Sequence, residues 1–418
     1  MNVLILGGGA REHALADAFS RSSKTSGIYV CPGNDGIAQE FRCVAMTDFQ
    51  QIVAFCHREA IDLVFIGPEQ PIAEGLSDLL REASIPVLAP SQAAARLETS
   101  KAFAKDIMNR YGIPTADYQM IYNMQEAEAV LSAFPMPVVL KADGLAAGKG
   151  VIIASDAAEA LKACELLLDQ QCGSTGVLAE EFLQGWEASL FAVCDGTGFQ
   201  STLFAQDHKQ LYDGDLGPNT GGMGAFCPVP QAEQYRKTIE TEILAPILSA
   251  MRQEACPYSG ILYLGLMITP SGPKVIEYNC RLGDPETQAV LPLLKTDIMD
   301  VCLAVCNNQV DQLKLEWESG SAVAVVLASP GYPGAYRRNI PIIIPQISSK
   351  VYFAGVMRGE SGWLSTGGRV LSVVALAETL ELARAAVYRD IEQIGFPGMV
   401  YRKDIGRRTN ELINWELS

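Results

Sequence analysis

Along the first ninety residues, short apolar runs closed by glycine or proline alternate with longer stretches of helical period. Residues 2 to 6 read as a buried strand, Gly7 to Gly9 as a turn, and Arg11 to Arg21 as a helix. The rhythm repeats with IYVCPGN, a helix from Phe49 to Glu59, IDLVFIGPE, a helix from Ile72 to Glu82, and IPVLAP. Strands alternating with helices in this way predict a doubly wound parallel sheet for residues 1–100.

The stretch SQAAARLETSKAFAKDIMNRYGIP keeps a helical period, with Ser91 as its N-cap and Gly112 and Pro114 as its stop. From Pro137 the pattern becomes strand, glycine-rich loop and strand, followed by the amphipathic helix DAAEALKACELLLD and the strands VLAEEFL and ASLFAVCD. Residues 115–190 therefore predict a small mobile lid on a larger unit, 101–310. That unit adds strands near 201–206, 260–269 and 274–279 and helices over Ala232–Glu254 and Asp297–Asn307. After Trp317, the strands SAVAVVLAS, VYFAGV and RVLSVVALA and a helix over 377–394 predict a third compact unit, 318–418, of mixed α/β structure. A chain of 418 residues exceeds one core of ordinary size. The fold class expected is thus multidomain α/β.

Composition narrows the function classes. A formal charge of −16 makes the average surface repel a phosphate backbone, so nucleic acid is not expected as a partner. A small anion held by local lysines and backbone amides remains compatible with that field. No apolar run approaches a membrane span, and MNVLILGGG is too short for a signal segment. The eleven cysteines are scattered without CxxC spacing, which predicts reduced thiols and a cytoplasmic setting.

Three glycine-rich loops carry candidate chemistry. In GGGAREHA, Gly7 and Gly9 fit the start of a dinucleotide fingerprint, but Glu12 stands where the third glycine belongs and would repel a pyrophosphate. A tight turn whose free amides hold a phosphate, helped by Arg11 and His13, stands level with a turn that only packs the helix. The loop KADGLAAGKG differs from a Walker A loop in spacing, and a strand follows it where a helix is needed. It reads as a flexible hairpin tip able to close over a triphosphate, with Lys141 reaching the phosphates as a point charge. The third loop, QDHKQLYDGDLGPNTGGMGAF, has few apolar anchors over residues 206–226. Its length without such anchors marks it as functional, with Asp207 and His208 as polar groups and NTGGMG as a run of amides for an anion.

The ordered set REHA, PGN, GPE, SKAF, KADGLAAGKGV, EEFL, QDHK, GPNTGGMGA, EYNCRLGDPETQ, GYPG, GGRVL and RKDIG covers nearly the whole chain. It resembles the phosphoribosylamine-glycine ligases (glycinamide ribonucleotide synthetases) of the ATP-grasp superfamily. That resemblance implies a central ATP-grasp unit with its lid between the two flanking α/β units. It implies ATP as co-substrate, Mg2+ or Mn2+ as cofactor, and glycine and 5-phosphoribosylamine as substrates, joined through a glycyl phosphate in de novo purine synthesis. A monomer is the implied state, with a transient contact to the enzyme that makes the amine.

Carried over residue by residue, the resemblance gives Lys101 and Lys141 to the ATP phosphates and Gly148, Lys149 and Gly150 to the closing flap. Glu180, Glu181, Phe182 and Leu183 correspond to the strand that meets adenine, with Glu187 on the ribose. Glu277 and Asn279 take the metal positions, and Arg281 faces the reacting group. Asp207 is implied as the second catalytic residue. His208, Lys209, the run Asn219, Thr220, Gly221, Gly222, Met223 and Gly224, and Asp284 are implied around the amine substrate, with Gly9, Arg11 and Glu69 completing its pocket. Departures are Trp186 where an acidic residue is common, a short QCGSTG loop, and YRRNIPIIIPQISS after GYPG.

The strand KVIEYN fits the metal role by its own period. Alternation would place Glu277 and Asn279 on one face, roughly 7 Å apart at Cα, close enough to serve one hard cation or two adjacent ones. It would also continue that face through Val275 and turn Ile276 and Tyr278 into the packing behind it.

Overall fold

The computed structural model describes residues 1–145, 150–169 and 176–407. At the N-terminus five parallel strands lie in the order Arg42–Cys43, Gly27–Pro32, Asn2–Gly7, Leu63–Ile66, Val87–Leu88. Val3 to Leu6 and Leu63 to Ile66 are buried throughout, since helices on both faces leave no wet side and the strands need no polar alternation. This is the doubly wound sheet expected from the alternation of strands and helices.

Two expected helices are each interrupted. Gly75, at φ 86°, separates Glu69–Ala73 from Leu76–Glu82, because a left-handed residue cannot continue a right-handed turn. In the bridging stretch, Arg96–Thr99 ends at Ser100, whose hydroxyl then accepts from the Phe103 amide and starts Lys101–Arg110. Ser91 Oγ accepts only from the Ala94 amide in the preceding turn. The new start matters, since it puts Lys101 at the first position of its helix.

The lid is a four-stranded antiparallel sheet, ordered Tyr118–Ile121, Val177–Glu181, Val138–Ala142, Val151–Ala154, and covered by helices Met124–Leu131 and Ala157–Leu168. Ile121, Leu140, Ala163, Leu167 and Val177 give it a core separate from the rest. Below it runs a second antiparallel sheet, ordered Phe199–Ser201, Trp186–Asp195, Ser259–Thr269, Gly272–Asn279.

The last strand of this sheet departs from simple alternation. Gly265 pairs with Glu277 and Leu266 with Val275, so Ile276 is an extra residue and a bulge resets the parity. Val275 consequently packs with Tyr278 in the core, while Ile276 turns to the same side as Glu277 and Asn279. The expectation that Val275 shares the Glu277 face is thereby corrected. The physical reason is local, one inserted residue flipping every side chain before it.

A five-stranded sheet completes the fold in the order Gln206–Asp207, Gly224–Cys227, Ser321–Ala328, Arg369–Ala377, Lys350–Phe353. Its first two strands come from the middle of the chain and flank the third glycine-rich loop. Inside that loop, Gln210–Tyr212 and Leu216–Asn219 form a hairpin. Helix Leu380–Ile391, capped by Thr379, packs behind the sheet. Among the described residues every cysteine is a free thiol, and no helix is long and apolar enough to cross a membrane.

Candidate active site

The lid, the helix Lys101–Arg110, the strand Gly272–Asn279 and the third loop enclose a cavity of about 490 Å³. One part is an apolar slot between Val139, Val151, Ile153 and Leu178 of the lid and Ala104, Met108 and Met267 opposite. Glu181, Phe182 and Leu183 form its edge, so a flat ring entering there would meet apolar faces and the backbone of an outgoing strand. The other part is densely charged.

Lys141 leaves the strand Val138–Ala142 and is buried, its Nζ 2.9 Å from Glu180 Oε2 and donating to the Ile276 carbonyl at 3.1 Å. Lys105 lies 3.5 Å from Glu180 Oε1 and donates to Thr115 Oγ1 at 2.8 Å. Burial, opposed by Glu180 and assisted by Lys141, pushes Lys105 down to about 8. Lys101 donates to the Gly144 carbonyl at 2.8 Å, and burial lowers its pKa as well. Three lysines therefore crowd one end of the cavity, a field suited to a polyanion.

Glu277 faces these lysines from the floor. Burial works against its charge, yet Lys209, Lys141, Lys101 and Arg281 together hold it down to about 2, so it is ionised at neutral pH. Asn279, two residues on, faces acceptors at Glu98 Oε1 and the Tyr278 carbonyl, so its amide is satisfied with the nitrogen turned to them, at 3.0 and 3.2 Å, and the oxygen left for another partner. Among the described residues no three acidic, histidine or cysteine side chains form a ready cation cage. A hard divalent ion that keeps waters and takes its remaining ligands from phosphates needs only one or two protein oxygens, and Glu277 with Asn279 fit that requirement.

Arg281 lies between two carboxylates, with Nε 3.0 Å from Glu69 Oε2 and Nη2 3.1 Å from Glu98 Oε1. Glu98 also accepts from the Cys280 amide at 2.6 Å. At the far wall, Lys209 Nζ stands 3.3 Å from Glu187 and 3.5 Å from Glu277. Burial is the largest influence on Lys209, but Glu187, Glu277 and Asp207 outweigh it and raise the pKa well above the ordinary lysine value. Asp207 is raised well above a normal carboxylate, by burial first, against the attraction of Lys209 and with Glu286 adding to the rise. Asp284 is held low against burial by Arg369 and Arg11.

Most residues singled out from the sequence meet in this one cavity. Arg11, Glu69, Lys101, Lys141, Gly150, Glu180 to Leu183, Glu187, Asp207, Lys209, Asn219 to Gly221, Glu277, Asn279, Arg281 and Asp284 all line it. Others do not. The Gly9 amide donates to Glu12 Oε2 at 2.7 Å and Arg11 Nε to Glu12 Oε1 at 2.6 Å, so the turn is satisfied from within. His13 is fully buried and structural, its Nδ1 accepting from the Phe353 amide at 3.0 Å. His208 points to a smaller neighbouring cavity with Trp186, Gln206 and Asp215. Gly222 does not reach the main cavity, Met223 packs with Leu211 and Ala328, and Gly224 pairs with Val325 in the sheet. Gly148 and Lys149, like most of the short QCGSTG loop, lie outside the described residues.

The structure adds Glu98, Lys105, Tyr263, Glu286 and Arg369 to the lining. Glu98 lies three residues before Lys101 beside SKAF, and Arg369 sits in GGRVL, so both were adjacent to recognisable motifs. Their roles depend on partners 183 and 85 residues away, Arg281 and Asp284, and periodicity carries no signal of such pairs.

Comparisons with known proteins cover nearly the whole chain. Models of the phosphoribosylglycinamide synthetase family match in three consecutive parts: the N domain over residues 1–98, the ATP-grasp (A) domain over 99–287 and the C domain over 322–408. A phosphoribosylamine-glycine ligase of Halalkalibacterium halodurans is 45% identical over 417 residues, covering 98% of this chain and 97% of that protein. One from Synechocystis is 45% identical over 419 residues, covering 98% and 100%. The crystal structure of the Thermotoga maritima phosphoribosylamine-glycine ligase superposes with a TM-score of 0.87 at 36% identity, over 97% of this chain and all of that one. The biotin carboxylase domain of Hydrogenobacter thermophilus 2-oxoglutarate carboxylase, solved with MgADP, shares the fold at TM-score 0.73 and 15% identity, over 100% of this chain and 94% of that one.

Proposed function

This chain belongs to the phosphoribosylglycinamide synthetase family, and from that premise we propose that it joins glycine to 5-phosphoribosylamine with cleavage of ATP to ADP and phosphate. The product is glycinamide ribonucleotide, and the step belongs to de novo purine synthesis. The observation that carries this reading is one cavity with a triple-lysine end beside an apolar slot and, across Glu277, a second end built by Asp207, Lys209, Asn219–Gly221, Asp284 and Arg11.

Adenine takes the apolar slot, against the edge Glu180–Leu183, and Glu187 takes the ribose. Lys101 and Lys141 take the phosphates, and Gly150 lines the same cavity. ATP-grasp enzymes in general work with Mg2+ or Mn2+, and here Glu277 and Asn279 are the residues to hold it. When bound, the cation neutralises the phosphate oxygens during transfer. Phosphoryl transfer needs positioning and charge compensation more than a protein nucleophile. The glycine carboxylate takes the γ-phosphoryl group, and Arg281, fixed between Glu69 and Glu98, faces the resulting acyl phosphate.

The amine nitrogen then attacks the activated carbonyl and phosphate leaves. Asp207, whose pKa burial raises, is the group to accept the proton released by that nitrogen. Lys209, Asn219 to Gly221, Asp284, Arg11 and Glu69 hold the ribose phosphate end. His208, Gly222, Met223, Gly224 and Gly9 support this wall from behind. The division into 1–100, 101–310 with a lid over 115–190, and 318–418 is part of the same reading, as are a monomeric state and a cytoplasmic setting.

The purified protein is expected to release ADP when ATP, glycine and freshly generated phosphoribosylamine are all supplied. ADP formation no faster with both substrates than with neither would refute the assignment. Replacing glycine by other amino acids separates this activity from that of a sister amino-acid ligase.

A further inference from the structure

Three motifs of the last hundred residues, GYPG, GGRVL and RKDIG, are given no substrate contact above, although Arg369 of the second lines the cavity, and all converge on one hairpin, Gln210–Asn219, and on Gly221 after it. At the tip, the Lys403 amide donates to Asp213 Oδ1 at 2.7 Å and the Gly214 amide to Asp404 Oδ2 at 2.9 Å. Arg402, fully buried, donates to Asp215 Oδ1 at 2.9 Å and to the Gln210 carbonyl at 3.2 Å. Its Nε and Nη2 grip Asp404 at 2.7 and 2.6 Å. At the other end the Gly221 amide donates to Tyr332 Oη at 2.9 Å. Arg369 donates to the carbonyls of Gly221 and Asp284, each at 2.6 Å, and to Asp284 Oδ2 at 2.9 Å.

Apart from Leu211, burial does little to hold this hairpin. Its cross-strand pair Tyr212 and Leu216 is 53% and 64% exposed. The strands that carry it, Gln206–Asp207 and Gly224–Cys227, belong to the sheet of the C domain. A planar guanidinium bound to carbonyls and a carboxylate at once fixes direction as well as distance, which a lysine on a flexible stem does not.

We propose that the C domain acts as a clamp on residues 207–221, with Tyr332, Arg369 and Arg402 as positioning residues for the amine substrate. The proposal rests on the assignment of that loop to the phosphoribosylamine end of the cavity. A shift of about 1 Å in a group that positions substrate can lower the rate on the order of a hundredfold. The apolar slot and the lysine end are formed by the lid and the helix Lys101–Arg110, which the clamp does not touch, so nucleotide affinity is expected to be spared.

The test uses the full chain with Tyr332→Phe, Asp404→Asn, Arg369→Lys and Arg369→Ala. The KM for phosphoribosylamine should rise roughly tenfold in the first two and most in Arg369→Ala, with Arg369→Lys partly restoring it, while the KM for ATP stays within about twofold. Amide hydrogen exchange over 210–221 should quicken roughly tenfold without change in the lid. An unchanged amine KM, or an equal rise in the KM for ATP, overturns the proposal. Tyr332→Phe removes one acceptor at a half-buried position and so reads out even if an arginine variant fails to fold. Should the wild-type protein show no amine-dependent ADP release, the functional assignment falls and the substrate role of the clamp with it. Exchange needs no substrate and still decides whether these motifs hold the loop.

Discussion

At the scale of single residues the site is governed by charges removed from water and then compensated. Glu277 is the clearest case, a buried carboxylate kept ionised because four cations surround it. Glu277→Gln preserves shape and removes the charge, so kcat/KM should fall on the order of a hundredfold or more. Mn2+ affinity measured by titration in the presence of a non-hydrolysable nucleotide should weaken in parallel, which separates a metal role from simple disruption. Asp404 offers a test away from the site. Burial opposes its charge, but Arg402 and the Gly214 amide hold it down to about 2, below the ordinary 3.8. A depressed folded-state pKa contributes stability above the unfolded value and loses it as pH falls through the folded one. Asp404 should therefore contribute on the order of 1–2 kcal/mol, discounted for partial solvent screening, that disappears between about pH 4 and pH 2. Asp404→Asn should flatten that part of the stability-pH curve, measured by urea unfolding.

At the scale of elements, the placement of side chains depends on where each helix and strand starts or slips. Ser100 begins the helix that presents Lys101 and buries Lys105. Ser100→Ala should cost about 1 kcal/mol in denaturant unfolding, the usual value of a lost N-cap. Lys101 should then bind nucleotide less tightly, as its backbone frays. The bulge at Ile276 has the larger effect, since it sends Val275 inward while Glu277 and Asn279, beyond it, keep the shared face that alternation gives them. Strand existence and the polar end of KVIEYNCRLGDPETQ were legible from the residues alone. The bulge was not, because an inserted residue leaves a composition that fits either parity.

At the scale of the molecule, the N and C domains dock through a small aromatic centre. Phe353 stacks on His13 at 5.8 Å and packs on Trp363 at 5.0 Å, and Asn34 Nδ2 donates to the carbonyls of Phe353 and Ala354 at 3.0 and 3.1 Å. A Cβ on Gly36 would overlap the Phe353 ring, which explains the glycine there. Phe353→Ala should lower global stability by roughly 3 kcal/mol, the cost of a buried aromatic and the cavity it leaves. Urea unfolding followed by near-UV circular dichroism would measure the loss. This docking also explains why His13, an attractive anion ligand beside a glycine turn, is part of an interface instead.

The sequence alone determined the kinds of element, the alternation that makes the first sheet, the strands and helix of the lid after Pro137 and most of the charged residues that line the cavity. Those follow from local physics, because period, turn chemistry and hard-oxygen clustering are written in consecutive residues. Tertiary structure alone decided which carboxylate compensates which cation, as with Glu98 and Arg281, and which motif grips a distant loop, as with Arg402 and Asp215. Such pairs join residues more than a hundred positions apart, and the energy that selects them appears only when folding removes both charges from water.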